Sequence, residues 1–194
     1  MTKQTIRTIL KALEKNLEKV SEKESKIFID KINKANKIFI VGAGRSGLVG
    51  KSFGMRLMHL GCNVYLVGDT ITPAIEEGDI LIAISGSGRT SSVKVCVEAA
   101  GRKNAARVVI TGDSNSDLAK MAQTVIKIPT MIKRVGINDY EARQLKGMDM
   151  TTVTPLGTIF ELSSMIFCDA IIAELMKKRK ISEQEMRRKH NNLE

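Results

Sequence analysis

Tryptophan is absent from the 194 residues, and aromatic side chains make up only 4% of them. Ile, Val, Leu, Ala and ten Met must therefore fill the core of a chain that is 43% apolar. Such filling suits a parallel sheet clad by helices on both faces. Cysteine is scarce as well: Cys62, Cys96 and Cys168 are odd in number, scattered and without a CxxC pair. That supports neither a disulfide framework nor a zinc site. No apolar run reaches the roughly 18 residues a membrane span needs. The N-terminal MTKQTIRTILKALEKN lacks the apolar stretch of a signal peptide. The chain therefore reads as cytoplasmic, with no membrane partner. Internal repeats and low-complexity tracts are missing too, and the length fits one domain with one core.

Negative charge is in deficit, with 31 Lys and Arg against 21 Asp and Glu, a formal +10. A surplus of that size invites a nucleic-acid reading, so its distribution decides. Residues 1–36 carry nine basic and five acidic side chains, and residues 176–194 carry seven and three. Only fifteen against thirteen remain for residues 37–175. The surplus lies on flanking segments that read as amphipathic helices, not on a central groove. Basic patches attract phosphates of any kind, but a solvated helix face explains these, and no nucleic-acid partner is expected.

The spacing of Ile6, Ile9, Leu10, Leu13, Leu17 and Val20 predicts a helix, and Ile27, Phe28 and Ile32 continue it in a second segment up to residue 35. The pattern then changes. Strands are expected at 37–41, 63–67, 79–84, 107–110 and 125–128, with helices over 46–60, 90–102 and 116–122 between them. Strands alternating with helices make βαβ crossovers and a doubly wound α/β domain. Five strands favour a parallel sheet of flavodoxin-like order, with ligands beyond the carboxyl ends of the strands near the switch in strand order. Residues 129–153 read as an active-site loop with a short helix near 139–146. Thr154-Pro155 looks like the N-cap and first position of a long apolar helix running to Met176. Ser182 and Glu185 form a capping box for a last basic helix. Three parts follow: a helical segment (1–36) that packs on the domain or a partner subunit, the α/β domain (37–180), and a C-terminal helix and tail (181–194).

Two loops carry chemistry. Gly42-Ala-Gly44-Arg45-Ser46-Gly47 follows the first strand and opens a helix. Its glycines let backbone N–H groups approach an anion, and the helix dipole adds to the attraction. In form it matches a dinucleotide fingerprint, and Asp69, two residues past the second strand, keeps a nicotinamide reading open. The second loop, Ser85-Gly86-Ser87-Gly88-Arg89-Thr90-Ser91, closes a buried strand and also opens a helix. Its hydroxyls and glycines offer a phosphate several O–H and N–H donors. A plain dinucleotide domain has no need of that second cradle. Arg45 and Arg89 each follow a glycine of an anion loop and could clamp phosphate or sugar hydroxyls; an outward salt bridge is the alternative.

Glu161 falls in the first turns of an apolar helix, where the neighbouring sequence offers no cation. A carboxylate there is costly unless it faces a cleft or is hydrogen-bonded, and such a carboxylate suits proton transfer. The alternative is a capping or surface Glu. His190 stands in a basic tail, where a histidine is usually solvated. His59, in Met58-His59-Leu60, either lines the cleft or packs at the sheet edge, and packing is favoured. Asp139 and Glu141 are acid candidates without a spacing argument.

The pairing of GxGRSG after the first strand with SGSGRT after the third resembles the sugar isomerase (SIS) domain family. Met55-Arg-Leu-Met-His-Leu-Gly61, Pro155-Leu-Gly-Thr-Ile-Phe-Glu161 and Arg188-Lys-His-Asn-Asn-Leu193 narrow the likeness to the 6-phospho-3-hexuloisomerases, over most of residues 37–194. Residues 131–153 depart from that pattern, being longer and more charged. The resemblance implies that Ser85, Gly86, Ser87, Gly88, Arg89, Thr90 and Ser91 hold the phosphate of a phosphorylated hexulose, with Gly42, Gly44, Arg45 and Ser46 beside it. It implies that Glu161 is the base, that His190 assists from its own or a neighbouring subunit, and that the chain forms a homodimer or homotetramer. No metal and no organic cofactor are implied. The implied reaction interconverts D-arabino-3-hexulose 6-phosphate and fructose 6-phosphate through a cis-enediol, after an aldol step that fixes or releases formaldehyde. An aldose–ketose isomerase of the same domain family would share the cradle. A non-catalytic phosphosugar sensor would need the loops but not Glu161.

Overall fold

Side chains alternate along β1 (Ile38–Gly42): Ile38 and Ile40 enter one apolar cluster, Phe39 and Val41 another. β3 (Ile80–Ser85) repeats the pattern, with Ile80, Ile82 and Ile84 on one side and Leu81 and Ala83 on the other. A strand buried on both faces reads as an unbroken apolar run, and all six residues of β3 are buried. The computed structural model describes residues 1–129 and 157–193. Besides β1 and β3 the sheet contains β2 (Val64–Leu66), β4 (Ala106–Thr111) and β5 (Thr124–Lys127). All neighbours are parallel, in the order β2-β1-β3-β4-β5. This is the expected flavodoxin-like order, and its switch point lies between β1 and β3.

The helices are α1 (Thr2–Leu17), α2 (Glu22–Lys34), α3 (Gly44–His59), α4 (Ser91–Arg102), α5 (Asp117–Met121), α6 (Thr158–Arg179) and α7 (Glu183–Arg188). Phe28 of α2, Phe53 of α3 and Phe167 of α6 meet with ring centroids 6.1 and 6.3 Å apart, which ties three helices to one face of the sheet. Val93 and Val97 of α4 and Leu118 of α5 cover the other face. The long first helical region is two helices, with Ser21 capping α2 through the Glu24 N–H. The expected capping box of Ser182 and Glu185 is present at α7.

Three buried polar side chains fix joints between elements. Asp79 accepts from the Lys37 N–H at 3.1 Å and the Glu76 N–H at 2.9 Å, which pins the start of β3 beside β1. Asn16 donates to the Ser163 hydroxyl at 3.1 Å, joining α1 to α6. Ser116 caps α5 through the Ala119 N–H. A buried polar group without its partner is costly, so such contacts define one docking arrangement.

Element bounds differ from expectation by small amounts that have local causes. The helix after β1 begins at Gly44 rather than residue 46, because Gly44 adopts φ +55° and turns directly into the first turn. The long apolar helix runs past Met176 to Arg179 and stops at Lys180, which is left-handed. Lys177, Lys178 and Arg179 break the apolar pattern but suit the negative end of a helix. The loop at 129–153, the helix near 139–146, Asp139, Glu141 and the Thr154-Pro155 cap fall outside the described residues, apart from Pro129.

Candidate active site

The loops after β1 and β3 flank the switch point, and α3 and α4 direct their N-termini towards it. The Gly42–Gly47 turn is closed on itself: a Cβ on Gly42 would stand 2.9 Å from the Gly47 nitrogen. Arg45 projects from its outer side with 59% of its side chain exposed. Ser46 is half-buried in the first turn of α3.

The second loop is braced from within. The Gly88 N–H donates to Ser85 Oγ at 3.2 Å, and the Ser85 and Thr90 hydroxyls lie 3.0 Å apart. Ser85 is therefore buried and shapes the loop, whereas Ser87 and Ser91 are exposed. Thr90 is the N-cap of α4 but makes no side-chain cap, because its hydroxyl faces Ser85 instead. A helix N-terminus with its first N–H groups uncapped, beside exposed hydroxyls, can receive an anion.

The loop after β4 supports this one; the carboxyl-end rule points to this loop in the sequence, but singles out no residue in it. The Gly112 N–H donates to the Gly86 carbonyl at 3.0 Å, and the Leu118 N–H donates to the Gly88 carbonyl at 3.1 Å. Arg89 lies 3.7 Å from the Asp113 carboxylate, an ion pair half-exposed on the arginine side. The signal available in the sequence was Thr111-Gly-Asp-Ser-Asn-Ser116, a hydroxyl-rich turn directly after a strand.

Gly88 is the least replaceable position in the loop. Its φ is +63°, and a Cβ there would stand 2.0 Å from Ser116 Oγ. Gly88→Ala is expected to cost roughly 2 kcal/mol or more, from left-handed strain plus displacement of the Ser116 cap. A thermal melt should fall by about 4–8 °C, together with weaker phosphosugar binding. An unchanged melt would mean that the loop is free to rebuild.

α6 brings the carboxylate. Phe160 is buried against Gly86, where a Cβ would stand 3.0 Å from its ring, so the first turn of α6 is packed onto the hydroxyl loop. The next residue, Glu161, has 14% of its side chain exposed and accepts a hydrogen bond from Arg45 Nε. No cation adjoins Glu161 in the sequence; the fold supplies one from 116 residues away. The salt bridge weighed as the alternative for Arg45 is present, with a mostly exposed guanidinium on a largely buried carboxylate. This arrangement sets a nearly buried carboxylate and a guanidinium side by side at the mouth of an anion loop.

His190 stands elsewhere. Its ring packs on His59, the last residue of α3, with centroids 5.3 Å apart. Arg45 lies fourteen residues earlier on the same helix, about 21 Å away at the usual rise per residue. His59 is 3% exposed, as the packing reading expects. The cysteines are free and separate; burial pushes the Cys168 thiol up strongly and the Cys96 thiol up as well, which leaves both poor nucleophiles. Among the described residues no group of three or more His, Cys, Asp and Glu comes together as a metal site, and no helix is long and apolar enough to cross a membrane.

A sequence model of the SIS domain matches residues 31–145, more than half of the chain. The chain belongs to the SIS domain family. It is 35% identical to 3-hexulose-6-phosphate isomerase of Bacillus subtilis over 193 residues, covering 100% of this chain and 99% of that one. It is 41% identical over 165 residues to the enzyme of that name from Methanocaldococcus jannaschii, covering 85% and 81% of the two chains. Among solved structures, a protein from Methanococcus jannaschii superposes with a TM-score of 0.78 at 37% identity, over 98% and 97% of the chains. That structure was described as inferring a molecular function of 3-hexulose-6-phosphate isomerase. The SIS family and the observed strand order favour the phosphosugar reading of Gly42–Gly47 over the dinucleotide one, whose sheet follows a different order.

Proposed function

We propose that the chain is a 3-hexulose-6-phosphate isomerase, interconverting D-arabino-3-hexulose 6-phosphate and fructose 6-phosphate. One juxtaposition carries the reading: Glu161 sits beside Arg45 and one residue from the packing contact on Gly86, in a chain matching such an isomerase end to end. The exposed hydroxyls of Ser87 and Ser91, Thr90, and the N–H groups opening α4 hold the phosphate, and Ser85, Gly86 and Gly88 give that loop its shape. Gly42, Gly44 and Ser46 line the opposite side. Arg89 adds positive charge while paired with Asp113.

With the phosphate anchored, the reacting carbons are held at a fixed reach. Glu161 removes the proton from C2 of the 3-hexulose, giving a cis-enediol, and returns it to C3, which leaves the carbonyl at C2. The hydroxyl proton moves from the C2 oxygen to the C3 oxygen. Arg45, released from Glu161 by the substrate, stabilises the negative charge that develops on those oxygens. Neither step requires a metal or an organic cofactor.

His190 completes the site of a neighbouring copy in this reading. Its Nδ1 lies 3.1 Å from the Asn191 carbonyl. A carbonyl only accepts, so Nδ1 carries hydrogen and Nε2 is left for proton transfer between the enediol oxygens. Leu48, Met55 and Met58 are exposed apolar side chains on one face of α3, with exposed Lys51 among them, between the Arg45 end and the His59 end. Self-complementary packing of two copies through that face is isologous. A two-fold axis at its middle sets the Arg45 end of one chain beside the His190 end of the other. The proposed enzyme works as a homo-oligomer, its two-chain sites built by that packing.

A coupled assay tests the reaction. Fructose 6-phosphate incubated with the protein and an aldolase that cleaves the 3-hexulose phosphate should release formaldehyde in proportion to both proteins. No formaldehyde from fructose 6-phosphate, with active aldolase present, would remove this substrate assignment.

A further inference from the structure

The chain has two histidines, and the fold packs one against the other in a tilted ring contact. His59 is 3% exposed, and its ring plane lies 33° from that of His190. The tail is fastened just ahead of this contact. Met186 of α7 is buried, and Ser182 and Glu185 cap that helix reciprocally. Lys189 lies over Gly61, where a Cβ would stand 2.4 Å from its Nζ. The His190 N–H donates to the Arg187 carbonyl at 3.1 Å. An exposed histidine on a free tail would sample many rotamers, whereas this one rests on a flat and buried surface.

The groups facing His59 are Arg56 on its own helix and His190 from the tail, with Lys189 of the tail over the adjacent Gly61. None of these is acidic. Burial first, then His190, then Arg56, hold His59 below the usual histidine range. A neutral ring at this place gives the tail a platform without adding positive charge beside His190.

We propose that His59 is a positioning residue for catalysis: its buried imidazole fixes the plane and reach of the His190 ring at the corner that meets the neighbouring copy. This rests on the reading that His190 takes part in the reaction. A role as core filling alone would make His59 matter for stability and leave turnover untouched.

The test uses the full-length oligomer and the variants His59→Leu, His59→Phe, His190→Ala and the double variant His59→Leu/His190→Ala. His190→Ala should lower kcat by about 100-fold, as loss of a proton-transfer group does. His59→Leu keeps apolar volume but removes the flat ring, and should lower kcat about 10-fold, with KM within about twofold, because only the orientation of His190 is lost. His59→Phe should restore most of that loss. The double variant should be no slower than His190→Ala, since a positioning residue acts only through the group it positions. A His59→Leu enzyme with wild-type kcat overturns the proposal, and so does a double variant slowed by the product of the two single effects. His190→Ala at wild-type kcat overturns the reading of His190 and the proposal with it, an outcome distinct from either of those. NMR titration needs no activity and covers the case of a variant that folds poorly. The His59 Hε1 midpoint should move upward in His190→Ala, because one of the charges that lowers it is gone; a midpoint that stays in place overturns the contact.

Discussion

Glu161→Gln is expected to lower kcat by about a thousandfold while leaving the protein folded. Glutamine keeps the length of the side chain and an oxygen that accepts from Arg45 Nε, so the first turn of α6 has no steric reason to move. What it removes is the ability to take a proton from carbon. General-base catalysis contributes about 10²–10⁴ in rate, and among the described residues no other carboxylate pairs with Arg45. Stability should change little. The Arg45 side chain is 59% exposed, so water solvates its charge once the partner is neutral, and pairs of that exposure are worth about 0–1 kcal/mol. Binding of fructose 6-phosphate should survive because the hydroxyl loop is intact. A variant that still turns over within about tenfold of wild type would move the base elsewhere.

The second large effect is recovery of activity from two dead proteins. Glu161→Gln and His190→Ala chains, each nearly inactive alone, should regain roughly one quarter of wild-type activity after equal mixing and subunit exchange. The fraction follows from the geometry proposed for that face of α3. Each site takes Glu161 from one chain and His190 from its neighbour. An intact site therefore needs the His190→Ala chain as host and the Glu161→Gln chain as donor. Random pairing meets both conditions at about half times half of the sites. The placement of His190 is what makes the effect expected: it is docked at the far end of α3, about 21 Å along the helix from the Arg45 end of its own site. No recovery after demonstrated exchange would return His190 to its own chain or to the solvated tail.

The sheet was legible in the sequence because its signal is local. Ile38–Val41 and Ile80–Ile84 are apolar runs of strand length bounded by turn residues, Val108–Ile110 is a shorter one, and βαβ alternation then limits the order and handedness. The two anion loops were legible for the same reason, since glycine and hydroxyl content next to a strand end is a neighbour-to-neighbour property. Glu161 stood out as an acid in an apolar helix. Its partner did not, because the Arg45 contact depends on how α3 and α6 lie across the sheet, and spacing along the chain carries no trace of a 116-residue separation. The His59–His190 contact was hidden for the same reason, and so was the burial of Ser85, which looks in sequence like its exposed neighbour Ser87. The end of α6 was missed for a different cause: helical propensity and the dipole carry Lys177, Lys178 and Arg179 after core contacts have ended, and apolar periodicity reports only the contacts.

The central claim, that Glu161 shuttles a proton between C2 and C3 of a phosphorylated hexulose, is tested most directly by proton NMR of fructose 6-phosphate in D₂O with the purified enzyme. The account predicts loss of the C3 proton signal together with a new 3-hexulose species, and neither change with Glu161→Gln. Exchange at C1 instead of C3 would contradict it and make the protein an aldose–ketose isomerase.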